Sequence, residues 1–158
     1  MLFLQFYMDD ARYVLPARDV IEVIPLVKLQ PLPQVPPHIA GLLCYRGRSV
    51  PVIDLCQLML GRPCNQRLST RIIVVNARRN NSALTIGLVV EKATEARKFE
   101  ASEFFASGIE NPAAPYQHGV AKDGEGLIQR ITTDSIISGP EFDLLFSAED
   151  EALRQSVS

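Results

Sequence analysis

The 158-residue sequence predicts an all-β fold with minor helices, built as small antiparallel barrels. Three observations carry that expectation. About nine or ten short apolar runs are separated by Gly, Pro, Asp and Asn, the residues that turn a chain. No helical pattern alternates with those runs, which argues against a doubly wound parallel sheet. The runs are also rich in β-branched residues, and such strands need closure or cover to hide their edges. The length suits one domain, or two small lobes sharing a core. With 47% hydrophobic residues a chain of this size buries roughly two thirds of its unfolded surface, so it needs no metal or disulfide for stability.

The elements follow in chain order. Leu2–Met8, rich in Leu, Phe and Tyr, reads as a first strand that turns at Asp9-Asp10. Arg12–Pro16 is a second short strand. Val20–Ile24 (V-I-E-V-I) is a strand, or one helical turn feeding a strand, with Glu22 as its only charge. Five prolines between Pro25 and Pro37 exclude helix and interior strand, because proline lacks the amide donor and restricts its predecessor. Gly41–Tyr45 and Val50–Ile53 are strands flanking R-G-R-S, where Gly47 supplies a positive φ at no side-chain cost. Pro51 limits the second of them to an edge or a first position. Asp54 caps a short helix, L-C-Q-L-M-L, which Gly61 ends and whose Leu55, Leu58 and Met59 point inward.

Arg71–Ala77 and Leu84–Lys92 are the clearest strand pair, apolar enough to be covered on both faces. Gly87 inside the second marks a bulge or a close approach. The pattern weakens from Ala93 to Phe105, and Ser107–Tyr116 is a loop. Gly119–Ala121 and Gly126–Ile131 make a last hairpin around K-D-G-E. Thr133–Ile137 begins a short helix. After Gly139-Pro140 an amphipathic helix aligns Phe142, Leu145, Phe146 and Leu153.

Composition excludes several functions. The net charge is −2 and the basic residues are scattered, which argues against duplex nucleic acid or an anionic membrane as partner. Cys44, Cys56 and Cys64 form no C-x-x-C pair, and His38 and His118 lie far apart, so no zinc pattern is present. The three cysteines read as buried or half-buried thiols acting as small hydrophobes. An odd count without a signal peptide points to a reducing, cytoplasmic setting, and the apolar N-terminus is too short to insert into a membrane. No nucleophile signature accompanies either histidine. Asp9-Asp10 and Glu149–Glu151 sit in turn or solvated-helix settings, and Gly124 and Gly126 match no phosphate loop. The expectation is a protein that is no enzyme, uses no cofactor and works by surface. The candidate surfaces are the hairpin bearing Arg46 and the groove beside V-I-E-V-I. On residues alone, Arg46 is either a solvated turn residue or one held out to meet a partner.

Four stretches resemble CheW-like domains, the adaptors of bacterial chemosensory arrays that couple receptors to the histidine kinase CheA. Tyr13–Val23 (Y-V-L-P-A-R-D-V-I-E-V) matches the family's Y-G-(I/L)-x-(I/V)-x-x-V-x-E-(I/V). Ile39–Leu55 (I-A-G-L-L-C-Y-R-G-R-S-V-P-V-I-D-L) matches I-x-G-x-x-N-L-R-G-x-x-x-P-V-(I/V)-D-L, the most specific of the four. R-I-I-V-V with I-G-L-V-V-E-K-A, and H-G-V-A with G-L-I-Q-R-I, stand where the family has its later strand pairs.

The resemblance implies two five-stranded SH3-like β-barrel subdomains sharing a hydrophobic core over residues 1–138. One would take roughly 12–67, the other 2–8 with 68–138. A helical extension over 139–158 would either pack on a barrel or dock a partner. The resemblance also places Arg46 and Glu22, with Val20 and Gly41 as weaker companions, in or beside an inter-barrel groove that receives a chemoreceptor's cytoplasmic helical tip. A CheA-type kinase regulatory domain is the second implied partner, with no residues assigned to it. Cys44-Tyr45 replaces the family's N-L, Cys56 replaces the Arg of D-L-R, and Glu91 replaces the Asp of V-D. Those departures point to a specialised array, such as a surface-sensing or pilus-linked one. The competing reading is a small barrel that binds nucleic acid or peptide.

Overall fold

The computed structural model describes residues 1–106, 108 and 117–143. Ten strands form two five-stranded sheets. The strands are β1 (Leu2–Met8), β2 (Ala11–Pro16), β3 (Val20–Pro25), β4 (Ile39–Tyr45), β5 (Arg48–Asp54), β6 (Arg71–Arg79), β7 (Ser82–Val90), β8 (Lys92–Lys98), β9 (Gln117–Asp123) and β10 (Gly126–Ile131). Helix α1 spans Leu55–Leu60 and α2 spans Thr133–Ile136. The first sheet runs β8-β1-β2-β10-β9 and the second β3-β6-β7-β5-β4.

The two sheets repeat one plan. In each, a hairpin (β1–β2 or β6–β7) pairs through its first strand with a lone antiparallel strand (β8 or β3). Its second strand runs parallel to the second strand of another hairpin, β2 beside β10 and β7 beside β5. The lone strands keep the two lobes from separating along the chain, because β3 follows β2 into the second sheet and β8 follows β7 back into the first. This grouping of strands differs from the expected partition into 12–67 and 2–8 with 68–138. Strand β2 stays with β1, and β6–β7 join β3–β5. The reason is local: β1 and β2 are joined by a tight turn at Asp9-Asp10, so their pairing costs little chain entropy.

The sheets share their core. Phe6, Met8, Tyr13, Leu15 and Ile131 of the first sheet belong to one buried cluster with Val52, Ile72, Val74, Ile86 and Leu88 of the second. A smaller cluster of Phe3, Val14, Phe99, Ala121 and Ile128 fills the first lobe alone. Gly87 is explained by crowding. A Cβ there would lie 3.0 Å from methyl groups of both Ile72 and Val52.

Pro51 sits in the middle of an interior strand, contrary to the edge or first position expected of it. The parallel ladder with β7 begins only at Val52, so the missing amide removes no rung there. V-I-E-V-I is a strand, and K-A-T-E-A-R-K, where the sequence pattern weakens, is the edge strand β8. At the C-terminus the described part is a 3₁₀ turn over Pro140–Phe142, with Phe142 fully buried in the shared core. Leu145, Phe146, Leu153, Glu149–Glu151 and most of the Ser107–Tyr116 loop lie outside the described residues, as does the side chain of His118.

Candidate functional site

Arg46 and Glu22 meet at the end of the second sheet. Strands β4 and β5 close through Tyr45 opposite Arg48, leaving Arg46-Gly47 as a two-residue turn with φ of 50° and 76°. Two successive positive φ values match the twist of a right-handed hairpin, but they ordinarily select Asn or Gly at the first position. Glu22 follows a bulge in β3, where Val20 faces Val75 and Glu22 faces Val74, with Ile21 as the extra residue. Bulges of this kind re-aim a side chain.

The link between the two is Tyr45. Its hydroxyl donates to Glu22 Oε2, and Arg46 Nη2 reaches the same oxygen at 3.4 Å. The Arg46 guanidinium also lies 5.2 Å from the centre of the Tyr45 ring, within cation–π range. The hydrogen bond to Glu22, followed by burial, raises the Tyr45 phenol above its ordinary value. The Arg46 side chain is 71% exposed and Glu22 41% exposed, so the cation is steadied but not consumed. Ile21 and Val23 on the same strand are exposed large apolar residues. The Arg46 guanidinium can therefore offer a bidentate fork to a carboxylate.

The weaker companions have structural accounts. Val20 is half-buried at the start of β3 and packs against the shared core. Gly41, at φ +142°, lets Gln30 pair with Leu42. A Cβ there would lie 2.5 Å from the Gln30 carbonyl oxygen.

Two charge clusters escaped the sequence reading because their members are distant in the chain. Buried Arg12 grips both oxygens of Asp123 at 2.7 and 2.6 Å, and Arg97 adds a third contact at 3.0 Å. The Arg12 hydrogen bond is the main cause that holds the Asp123 carboxyl far below the usual range. Between the lobes, Glu91 accepts from Arg62, from Asp9 N at 2.7 Å and from Asn65 N at 2.9 Å. The Arg62 contact, ahead of the backbone donors, lowers its carboxyl to about 2. His38 is a packing residue. Its ring meets Phe142 at 5.0 Å, and burial pushes its pKa down against the opposing pull of Glu141.

The cysteines depart from the expectation of separate buried thiols. Cys56 and Cys64 are joined in a disulfide, and Cys44 is exposed. No spacing rule flags a C-x7-C pair across a helix and its following loop. Asp54, Cys56 and Cys64 place one ligand atom each within 4.8 Å of one another, the one such group among the described residues. With its sulfurs bonded together, that group offers no thiolate to a metal. None of the helices among the described residues is long and apolar enough to cross a membrane.

Comparison with known proteins agrees with this architecture. A family model for the CheW-like domain matches residues 2–141. Protein FrzA of Myxococcus xanthus is 37% identical over 57 residues, 36% of either chain. Chemotaxis protein CheW of Helicobacter pylori is 26% identical over 102 residues, 64% of this chain and 59% of that one. The matched segments thus span less than two thirds of either relative. The scaffolding protein TtCheW of Thermoanaerobacter tengcongensis shares the fold, two SH3-like subdomains about a common core. Its TM-score is 0.77 at 23% identity, covering 89% of both chains. From the two interlocked five-stranded lobes and a match running almost end to end, the chain belongs to the CheW-like domain family.

Proposed function

We propose that this protein is a non-enzymatic adaptor of chemosensory signalling in the cytoplasm. It couples the helical cytoplasmic tip of a chemoreceptor to the regulatory domain of a CheA-type histidine kinase. The observation that carries the reading is Arg46: a long cation set at a left-handed turn position, 71% exposed, and braced by Tyr45 and Glu22. A left-handed conformation costs a non-glycine residue roughly 1–2 kcal/mol, and backbone strain of that kind clusters at binding sites. An arginine there tolerates the cost where its fork meets a partner's carboxylate. Val20 lies along the same strand as Glu22, and Gly41 fixes the backbone of β4 behind the hairpin.

The test is Arg46→Asn, which turns the bend into Asn-Gly, the sequence this turn favours. The expected result is stability unchanged or raised by up to about 1 kcal/mol, with capture of a receptor cytoplasmic fragment weakened at least about tenfold. A variant that keeps receptor capture while losing stability would assign Arg46 to the fold instead.

A further inference from the structure

The adaptor reading makes no use of Cys56 and Cys64. Cys56 is the second residue of α1 and has no exposed surface, whereas Cys64 lies in the loop after the helix and is 7% exposed. Cys64 lines a cavity of about 510 Å³ between the 26–29 segment and the 63–70 loop, together with Leu26, Leu29, Ala40, Asp54 and Val89. Cys56 does not line it. Cys64 thus borders the cavity, and Cys56 is sheltered from it.

The contacts holding the loop over the helix do not depend on the sulfur bond. Asp54 caps α1 by accepting from Gln57 N at 3.2 Å, and its two oxygens also accept from Cys64 N at 3.3 and 3.1 Å. Next to Cys64, Asn65 N donates to Glu91 at 2.9 Å, and Arg62 binds Glu91 and Asp9. Two backbone anchors therefore keep the sulfurs face to face whether or not they are bonded. Such preorganisation gives each thiol a high effective concentration toward the other. A bond can then open and re-form without rebuilding the loop.

We infer that Cys56 and Cys64 are a reversible thiol–disulfide site, exchanging with a small aliphatic thiol that enters through the cavity beside Cys64. The thiolate of the incoming molecule attacks Cys64 Sγ and the Cys56–Cys64 bond breaks. Cys56 leaves as a thiolate and takes up a proton, while a mixed disulfide remains on Cys64. A second small thiolate attacks the small molecule's sulfur in that mixed disulfide. It releases a small disulfide and the Cys64 thiolate, which on protonation donates to the Val89 carbonyl 3.4 Å away. Two small thiols are oxidised to one disulfide and the protein disulfide is reduced to two thiols. The reverse reaction uses the small disulfide as oxidant. Oxidation fastens the loop that carries Arg62, and with it the clasp on Asp9 and Glu91 between the lobes.

The experiment uses the full chain carrying Cys44→Ser, equilibrated in buffers of graded reduced and oxidised glutathione, acid-quenched, alkylated and weighed. The cross-linked fraction should move from near zero to near complete across the series, return when the buffer is reversed, and leave the far-UV circular dichroism unchanged. Adding Cys56→Ser should trap one glutathione on Cys64 in the folded protein. Adding Cys64→Ser instead should leave Cys56 unlabelled until denaturant is present. Three results would overturn the inference. One is a pair that never cross-links in the most oxidising buffer, and another is a cross-link that persists in the most reducing buffer without denaturant. The third is stoichiometric zinc retained by the reduced protein that blocks its oxidation, which would give the pair and Asp54 to a metal. The graded series on the unsubstituted pair decides the matter even where a serine variant fails to fold.

Discussion

Arg46 holds a backbone conformation that ordinarily selects Gly or Asn, so its backbone preference does not account for its presence. Sequence reading named Arg46 and Glu22, which the structure brings together, but not Tyr45, because a hydroxyl reaching a carboxylate 23 residues away has no local signature. Glu91 was noted only as a departure from the family's Asp, yet its longer arm collects Arg62 and two backbone amides. A carboxyl lowered from 4.5 to about 2 contributes stability that is complete above about pH 4.5 and is lost as pH falls toward about 2. Glu91→Gln should therefore flatten the acid limb of a urea-stability profile over that window. An unchanged limb would show that the pairing is as strong in the unfolded chain. Gly87→Ala pushes a methyl into Ile72 and Val52 and should cost about 1–3 kcal/mol by urea denaturation.

Among the elements, strands with one-sided burial or continuous apolar runs were legible, and those without contrast were not. β6 and β7 announce themselves through buried runs such as I-I-V-V. β8 reads K-A-T-E-A-R-K and is half-buried or exposed at every position, so no period-2 signal exists to find. Its charges suit an edge strand, since they discourage pairing with another chain. α1 was readable in full, because Asp54 at its start and Gly61 in a left-handed conformation at its end are both sequence signals. The disulfide closing a short loop should add about 2.5 kcal/mol to the oxidised form. At the other end of the chain, Phe142 in its 3₁₀ turn fills the shared core beside His38. Phe142→Ala should lower stability by about 3 kcal/mol or more. No change in the denaturation midpoint would mean that the turn is an arm resting on the surface.

For the molecule as a whole, three straps join the lobes besides the common core. Arg62, in the loop after α1 of the second lobe, binds Asp9 in the β1–β2 turn and Glu91 between β7 and β8. α2, which follows β10 of the first sheet, docks on the second through Thr133 to the Asn76 carbonyl and Asp134 to Arg78 N. Strand β8, which follows β7 of the second sheet, carries the chain across in the other direction. Unfolding should accordingly be one cooperative transition, with far-UV circular dichroism and tyrosine fluorescence coincident in urea. Two separated transitions would mean that the lobes fold independently. The sequence alone determined the β class, the strands other than β8, the turn at Arg46-Gly47 and the family, because turn chemistry, apolar patterning and motif spacing are properties of short windows. Only the tertiary structure decided which strands share a sheet, that Pro51 is tolerated inside one, that Cys56 meets Cys64, and that Tyr45 joins Glu22 to Arg46. Apart from the Cys56–Cys64 pair, eight residues apart, each of those depends on a contact between residues far apart in the chain, or on where a ladder happens to begin. Such contacts are set by how the two lobes bury one core together, and no local window records that.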